Sequence, residues 1–496
     1  MIPVQTGTPS QFSAVRELFK DAGYTAPAVC KHLGISEISS FINGERPTFP
    51  EGPSTTLDLL IRAFFIGSYI PASRAADLFT PKALEAMSAT GLLQAYEERN
   101  ELLYSPVMLY PAYDIYAASD RYTRPNGEPM DTGDDFVFPG ISPHSGHFLA
   151  VLPESRCERF LDVGAGTGIA AIGAASRYAG QSWSLDITSR STEYALWNKA
   201  LNGIENVTVL QGDLFAPVAG QTFDRIVMHP PYDVSIGHRP IYCNGGNDGE
   251  GIVRRLFQDA PAYLAPGGRL YALARIADLL TAPLEKRVRG WLGEWDQECD
   301  VAVIVRDLTS PDDVALATFV SSRGSHDDLA AYKLRLENLG VEQLCYACIV
   351  VQRRCESRPA FTVRRERGKT WQSAPIERLL GVETALAADP AEVWNIPLRR
   401  SPYLQMLVRH GIREGRLTPV DYTLLVEDPL KVEMEVQPGI VQIIEACDGS
   451  KTPAELHGEM VNSGLFPAAG GKDAFLEIAA ALVSAGILYP APRKVA

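Results

Sequence analysis

The spacing of apolar and polar positions divides the chain into regions of different period. Near the start, apolar residues recur at helical spacing: Phe12 to Ala22 is amphipathic, Ala26 to Leu33 is a second short helix ended by Gly34, and Ser54 to Phe65, opening after Pro53, is a strongly apolar third. Ala72 to Leu78 and Pro81 to Met87 extend the series before a strand-like run from Leu102 to Leu109. Short helices followed by a hairpin-like stretch predict a winged-helix-like arrangement for residues 1–105. None of these helices presents a basic face, which favours a scaffold or substrate-recruiting module over a DNA-binding one.

From Arg159 to Val350 the pattern becomes strand, glycine-rich turn, helix. Strands are predicted at Arg159 to Val163, Ser182 to Asp186, Val207 to Leu210, Phe223 to Met228 and Arg269 to Leu273, with helices at Ile169 to Arg177 and Ser191 to Leu201. Alternating units of this kind build a parallel sheet covered by helices on both faces. Val301 to Asp307 and Leu344 to Gln352 are late strands expected to close one edge. Residues 356–438 are the least legible stretch and are expected to be a linker or accessory region. Helices return at Gly439 to Ala446, Thr452 to Met460 and Ala474 to Ala485; Asp448-Gly449 supplies a turn and Gly486 to Tyr489 the start of a wing, so 439–496 is a second winged-helix-like module.

At 496 residues the chain can bury several cores, and its net charge of −14 disfavours indiscriminate binding to nucleic-acid backbone. A local basic run, Arg353, Arg354, Arg364, Arg365, Arg367 and Lys369, reads as a solvated linker in preference to a phosphate-contacting strip. Eight scattered cysteines are not a disulfide framework. Cys345 and Cys348 lie three apart in an apolar strand and therefore point to opposite faces, which suits burial and not a shared metal. With no basic-then-apolar leader and no apolar run of membrane-spanning length, cytoplasmic residence and no membrane partner are expected.

The chemistry-bearing residues fall in the central region. Leu161-Asp-Val-Gly-Ala-Gly-Thr-Gly168 joins a strand to a helix, with Ile169 where a dinucleotide fingerprint would place its third glycine; that spacing favours a nucleoside bearing an amino acid over a pyrophosphate. Asp186 ends the second strand, where a carboxylate can accept both ribose hydroxyls, and Asp213 ends the third, placed to accept from an adenine amino group. The fourth strand runs into His229-Pro-Pro-Tyr232, a rigid loop whose carbonyls are free to accept from a substrate nitrogen.

Together these segments, with Leu185 to Thr188, Asn198 to Gly203 and Gly212 to Phe215, resemble the class I S-adenosylmethionine-dependent methyltransferases. The resemblance covers residues 110 to 355. It is to the small-domain branch, which includes protein-glutamine N5-methyltransferases and ribosomal RNA guanine N2-methyltransferases. It implies an α/β fold: a Rossmann-like class I methyltransferase sheet within residues 106–355, flanked by winged-helix-like helical domains at both ends. It implies S-adenosyl-L-methionine as cofactor. Asp162, Gly164, Ala165, Gly166 and Gly168 would cradle its methionine part, Asp186 with Ile187 its ribose, and Asp213 with Leu214 its adenine. His229, Pro230 and Tyr232 would be catalytic, with His229 also bordering the cofactor and Pro231 and Tyr232 receiving the substrate.

One position departs from the branch: His229 stands where Asn is usual. A neutral imidazole can accept an N–H in the amide's place, or serve as a base on a hydroxyl. In the pre-core stretch Asp134 to His147, His144, Ser145 and His147 are further substrate-binding candidates. The loop from Tyr232 through Ser235 and His238 into Asn244 to Glu250 suits a lid, and Asp248 or Glu250 lies close enough in sequence to reach the site. N-methylation of a protein side-chain amide or an RNA base is the leading expectation. A small-molecule N- or O-methyltransferase using His229 as base, and a silent core in a regulatory protein, are the alternatives.

Overall fold

The computed structural model describes the chain apart from residues 42–53, 97, 129, 131–132, 237–239, 323–324, 468–470 and 492–496, so Pro53 and His238 lie outside the described residues. Its centre is an eleven-stranded sheet. We label β1 Cys157–Val163, β2 Ala179–Asp186, β3 Val207–Gln211, β4 Phe223–Met228, β5 Leu264–Leu279, β6 Cys299–Thr309 and β7 Val341–Arg353. Beyond them come β8 Thr362–Arg367, β9 Leu404–Arg413, β10 Arg416–Val426 and β11 Leu430–Val436. The order across the sheet is β9-β10-β11-β8-β6-β7-β5-β4-β1-β2-β3. From β3 to β5 all neighbours are parallel. β7 then lies antiparallel between β5 and β6. A Rossmann-like sheet carrying one antiparallel strand near the end of its run, with helices on both faces, is the architecture of class I methyltransferase cores.

The helices that matter for the cavity are α1 Pro143–Ala150, α2 Ile169–Arg177, α3 Ser189–Asn202, α4 Gly251–Tyr263, α5 Leu284–Leu292 and α6 Pro311–Ser322. The central strands β5, β6 and β7 are buried on both faces along most of their length, and period-2 alternation sorts their side chains. Leu273, Ile304, Cys348 and Val350 join one core, whereas Ala274, Val303, Cys345 and Ile349 join the other. Cys345 and Cys348 thus face opposite ways as spacing required, and no metal-binding cluster exists among the described residues.

Two expectations change at the distal side. β6 and β7 do not close an edge, because β7 is interior and β6 carries β8 in parallel. The stretch read as a linker or accessory region extends the sheet: β8 meets β11 through Glu366 and Arg367, and β9, β10 and β11 form an antiparallel meander. Most of the basic run becomes internal wiring. Arg364 pairs with Asp278 at 2.8 Å and Glu285 at 3.1 Å, Arg367 with Asp307 at 3.3 Å, Arg353 donates to the Leu264 carbonyl at 2.9 Å, and Arg365 donates to the Ser484 carbonyl at 3.1 Å. These contacts were illegible because strands of mixed charge and low apolar content carry no clear period.

The N-terminal region has helices at Pro9–Asp21, Ala26–Leu33, Thr56–Leu60, Ala72–Leu78 and Pro81–Ala89, with a wider-wound turn at Ile61–Ile66. A small ribbon of Ile70–Pro71, Arg99–Tyr104 and Gln94–Tyr96 follows, and the single strand expected at 102–109 breaks before a separate hairpin of Met108–Ala112 and Ile115–Ser119. The module is tied to the core: Trp197 on α3 donates to the Gln5 carbonyl at 3.0 Å and meets Phe12 edge-on, and Arg190 and Tyr194 both reach Asp120. At the other end, helices Pro438–Ala446, Pro453–Asn462 and Gly471–Ser484 pack over the meander, and Leu488–Pro490 pairs with Leu398–Arg400. No helix is long and apolar enough to cross a membrane among the described residues.

Asp300 provides a test of the extended sheet. It is buried and accepts two bonds from buried Arg358, at 2.9 and 2.5 Å, and one from the Phe361 amide at 3.1 Å. Removing one partner of a buried pair strands the other's charge, at a cost of about 3–5 kcal/mol. Arg358→Ala is expected to lower the denaturant midpoint accordingly, whereas a change within about 0.5 kcal/mol would mean that this segment is a solvated linker.

Candidate active site

Strand order reverses between β1 and β4, and the loops leaving their carboxyl ends part to leave a cavity of about 1210 Å³. One wall is the glycine turn after β1. Gly164, Gly166 and Gly168 have φ of 68°, 55° and 75°, a region that side chains bearing Cβ resist. At Gly166 a Cβ would meet nothing within 4 Å, so the backbone itself faces open space, whereas at Gly168 it would lie 3.0 Å from Ala195 of α3. Asp186 at the end of β2 ties the turn in place: one carboxylate oxygen accepts from the Gly166 amide at 2.9 Å and the other from the Thr188 amide at 3.0 Å. Asn198, fully buried on α3, donates to the Thr167 carbonyl at 3.0 Å and holds Ala118 through both its amide groups.

The opposite end of the cavity is aromatic. His229 leaves β4 stacked on Phe148 of α1, with centroids 5.4 Å apart and planes at 16°, and Tyr232 stands 5.8 Å from it. The Tyr232 hydroxyl lies 3.3 Å from His144 Nδ1, which is also 3.3 Å from the hydroxyl of Tyr346 on β7. Arg275 of β5 places its guanidinium 5.2 Å from the Tyr232 ring centre. Phe136 and Phe138 of the pre-core segment, which also line the cavity, pack against Tyr242, and the Ile241 amide donates to the Asp134 carbonyl at 3.0 Å.

Burial sets the protonation states. Desolvation, with His144 and His147 nearby, pulls His229 down to about 3, so its ring is neutral at physiological pH; its Nε2 is buried without a hydrogen-bond partner. His147 is drawn to about 4, first by burial and then by Arg306, and His144 is lowered by burial, Arg275 and Arg306. Asp162, under the glycine turn, is pushed up to about 8 by burial, against the pull of its bond with the Ala171 backbone.

Residues 139–289 match the family described as methyltransferase small domain. The ribosomal protein uL3 glutamine methyltransferase of Bradyrhizobium diazoefficiens is 34% identical over 157 residues, 29% of this chain and 49% of that protein. The release factor glutamine methyltransferase of Deinococcus radiodurans is 33% identical over 147 residues, 27% of this chain and 52% of that one. The chain spans about half the length of these curated relatives. The central region has the fold of a class I methyltransferase core and is related in sequence to the small-domain branch. A solved ribosomal protein L11 methylase from Lactobacillus delbrueckii subsp. bulgaricus is 23% identical across 30% of this chain and 62% of that one, with a TM-score of 0.22.

Within this core the cavity gathers most of the residues singled out from sequence. Asp162, Gly164, Ala165, Gly166, Asp186, Ile187, Asp213 and Leu214 line it, as do His144, Ser145, His229, Pro230, Pro231 and Tyr232. Two do not line it. Gly168 caps α2 and permits close packing on α3, and His147 lies behind His144 against Tyr346, its carbonyl accepting from Trp371. Asp213 reaches the lining but spends one oxygen on Arg255, at 2.7 Å. Neither suggested lid carboxylate reaches the cavity: Glu250 is buried against Arg287 and the Ala277 amide, and Asp248 pairs with Arg254. The lid segment itself is folded onto the proline loop, with the Asp233 amide donating to Cys243 and that of Gly245 to Asp233. Sequence reasoning missed Phe148, Tyr346 and Arg275. Only Arg275 left a signal, as a charge interrupting the apolar alternation of β5.

The raised pKa of Asp162 has a definite sign. Between its unfolded value near 4 and about 8 the folded state holds the extra proton, so this group's stabilising share is full at low pH and is lost as pH rises through that window. Asp162→Asn is therefore expected to gain on the wild type between pH 5 and 8, by up to about 1.4 kcal/mol per pH unit, in thermal or denaturant melts. A constant difference across that range would show that Asp162 is ionised in the folded protein.

Proposed function

We propose that this protein transfers a methyl group from S-adenosylmethionine to nitrogen in a planar amide or amino group of a protein or RNA acceptor. The observation that supports this most is the meeting, in one cavity, of the Asp186-braced glycine turn with the proline loop of His229 to Tyr232. The lining fits a nucleoside with an amino-acid tail. Exposed backbone at Gly166 leaves room for the tail, and Asp186 keeps lone pairs for vicinal hydroxyls after its two backbone bonds. The curated relatives named above methylate glutamine, in line with a planar amide acceptor. A cavity of 1210 Å³ exceeds the roughly 300–1,000 Å³ that one ligand needs, which leaves space for a second group.

The cofactor, when bound, supplies an activated sulfonium methyl. The chain's residues then position and desolvate. Tyr232 offers a ring face to the planar acceptor, and the carbonyl preceding Pro231 offers an acceptor to its N–H. His229 takes the place of the usual carboxamide. A ring pulled to about 3 is a weak proton acceptor near neutrality, so hydrogen bonding by neutral His229 is favoured over general-base catalysis on a hydroxyl. A second reading, a small-molecule acceptor, draws support from the lining, which comes wholly from residues 135–318 with no contribution from either terminal module.

Calorimetric titration of the full chain with S-adenosylmethionine tests the donor half. Saturable binding is expected, weakened at least about tenfold in Asp186→Ala, a loss of about 1.4 kcal/mol. No binding by folded protein would remove the proposal, and undiminished affinity in the variant would remove Asp186 from the site. Once an acceptor is in hand, the rate should show no ionisation near pH 6.5 attributable to His229, because its titration lies far below that range. A limb at pH 6–7 that disappears in His229→Asn would contradict the neutral role.

A further inference from the structure

We propose that Arg275 makes the acceptor half of the cavity an oxyanion site, so that the methyl acceptor is a planar group carrying a carboxylate or a phosphate. This rests on the methyltransferase reading and adds the acceptor's chemistry to it.

Along β5, Tyr271 and Leu273 face one buried core, and the next residue on that face is Arg275, opposite Tyr346 of β7. It lines the cavity and is 22% exposed, so its charge is partly desolvated without being sealed away. Several other part-buried arginines of the sheet domain are held by hydrogen bonds from their guanidinium groups. Arg225 donates to the Pro153 and Ser155 carbonyls, Arg269 to Gln352 and Glu377, and Arg364 to Asp278 and Glu285. Arg275 makes no hydrogen bond among the described residues. It rests against the Tyr232 ring, 5.2 Å from the ring centre, and forms an ion pair with Asp233 at 3.6 Å that is too long for a hydrogen bond. A guanidinium resting against a ring still has its in-plane N–H groups to give, and a two-pronged donor of that shape is matched best by a carboxylate or phosphate.

The surroundings fit the same ligand. His144, Tyr232 and Tyr346 are uncharged side chains at this end, and both His144 and Tyr346 feel the positive field of Arg275 and Arg306. Asp233 offsets part of that charge, which leaves a site that attracts an anion without trapping every one. The aromatic faces of His229 and Tyr232 lie beside it, so a flat acceptor stacked there would bring an attached oxyanion toward Arg275.

The test uses the full chain saturated with S-adenosylhomocysteine and two pairs of probes that differ in charge: nicotinate with nicotinamide, and uridine 5′-monophosphate with uridine. Calorimetry is expected to show at least one anion binding tenfold or more tighter than its neutral twin. A preference in the first pair assigns a carboxylate, and one in the second a phosphate. In Arg275→Gln the preference should fall below threefold with unchanged S-adenosylhomocysteine affinity. Arg275→Lys, which keeps the charge but loses the fork, should retain a weaker preference. Equal binding of both twins, no binding of either anion, or a preference that survives in both variants overturns the inference. Failure of S-adenosylhomocysteine to bind instead overturns the methyltransferase reading beneath it.

Discussion

The Asp186 carboxylate fixes the geometry on which the cavity depends. The reversal of strand order between β1 and β4 parts the loops, but parted loops need bracing to keep a defined shape. Asp186 supplies it by accepting from Gly166 on one side and Thr188 on the other, so that the glycine turn and the start of α3 are held by one side chain. Asn198 secures the same turn from behind and links it to the hairpin before the core. Gly164 and Gly166 then present backbone, not side chains, to the cavity, and Gly168 lets the turn pack closely against α3.

The acceptor end is built on a different basis. Its polar groups are kept neutral chiefly by burial, which with His144 and His147 draws His229 to about 3 and, against the opposing pull of Arg275, pushes the Tyr232 hydroxyl up to about 12. Groups in that state orient a ligand by hydrogen bonds and ring contacts and exchange protons reluctantly. This matches a reaction whose methyl donor arrives activated, in which alignment and exclusion of water are the protein's main tasks.

Much of this was legible in the amino-acid order. Ile169–Arg177 and Phe223–Met228 form with the bounds expected, because glycine and proline punctuate both ends of those runs. The cofactor side was readable since its residues follow consecutive strands at fixed offsets. The acceptor side was readable only where it is local, in the loop from His229 to Tyr232. Tyr346 and Arg275 reach it from β7 and β5 by cross-strand register, which no local spacing reveals. The meander of β9 to β11 escaped for another reason: its faces are half exposed and mix charge with apolar residues, so alternation is blurred.

The central claim is that both halves of the cavity act on one methyl group. It is tested most directly by incubating the protein with methyl-labelled S-adenosylmethionine and fractionated bacterial lysate, beside His229→Ala, then treating labelled material with protease or nuclease. The account predicts label in a macromolecule that one of these treatments releases, lost in the variant although the variant still binds the cofactor. Cofactor binding with no label in any fraction, or equal labelling by His229→Ala, would contradict it.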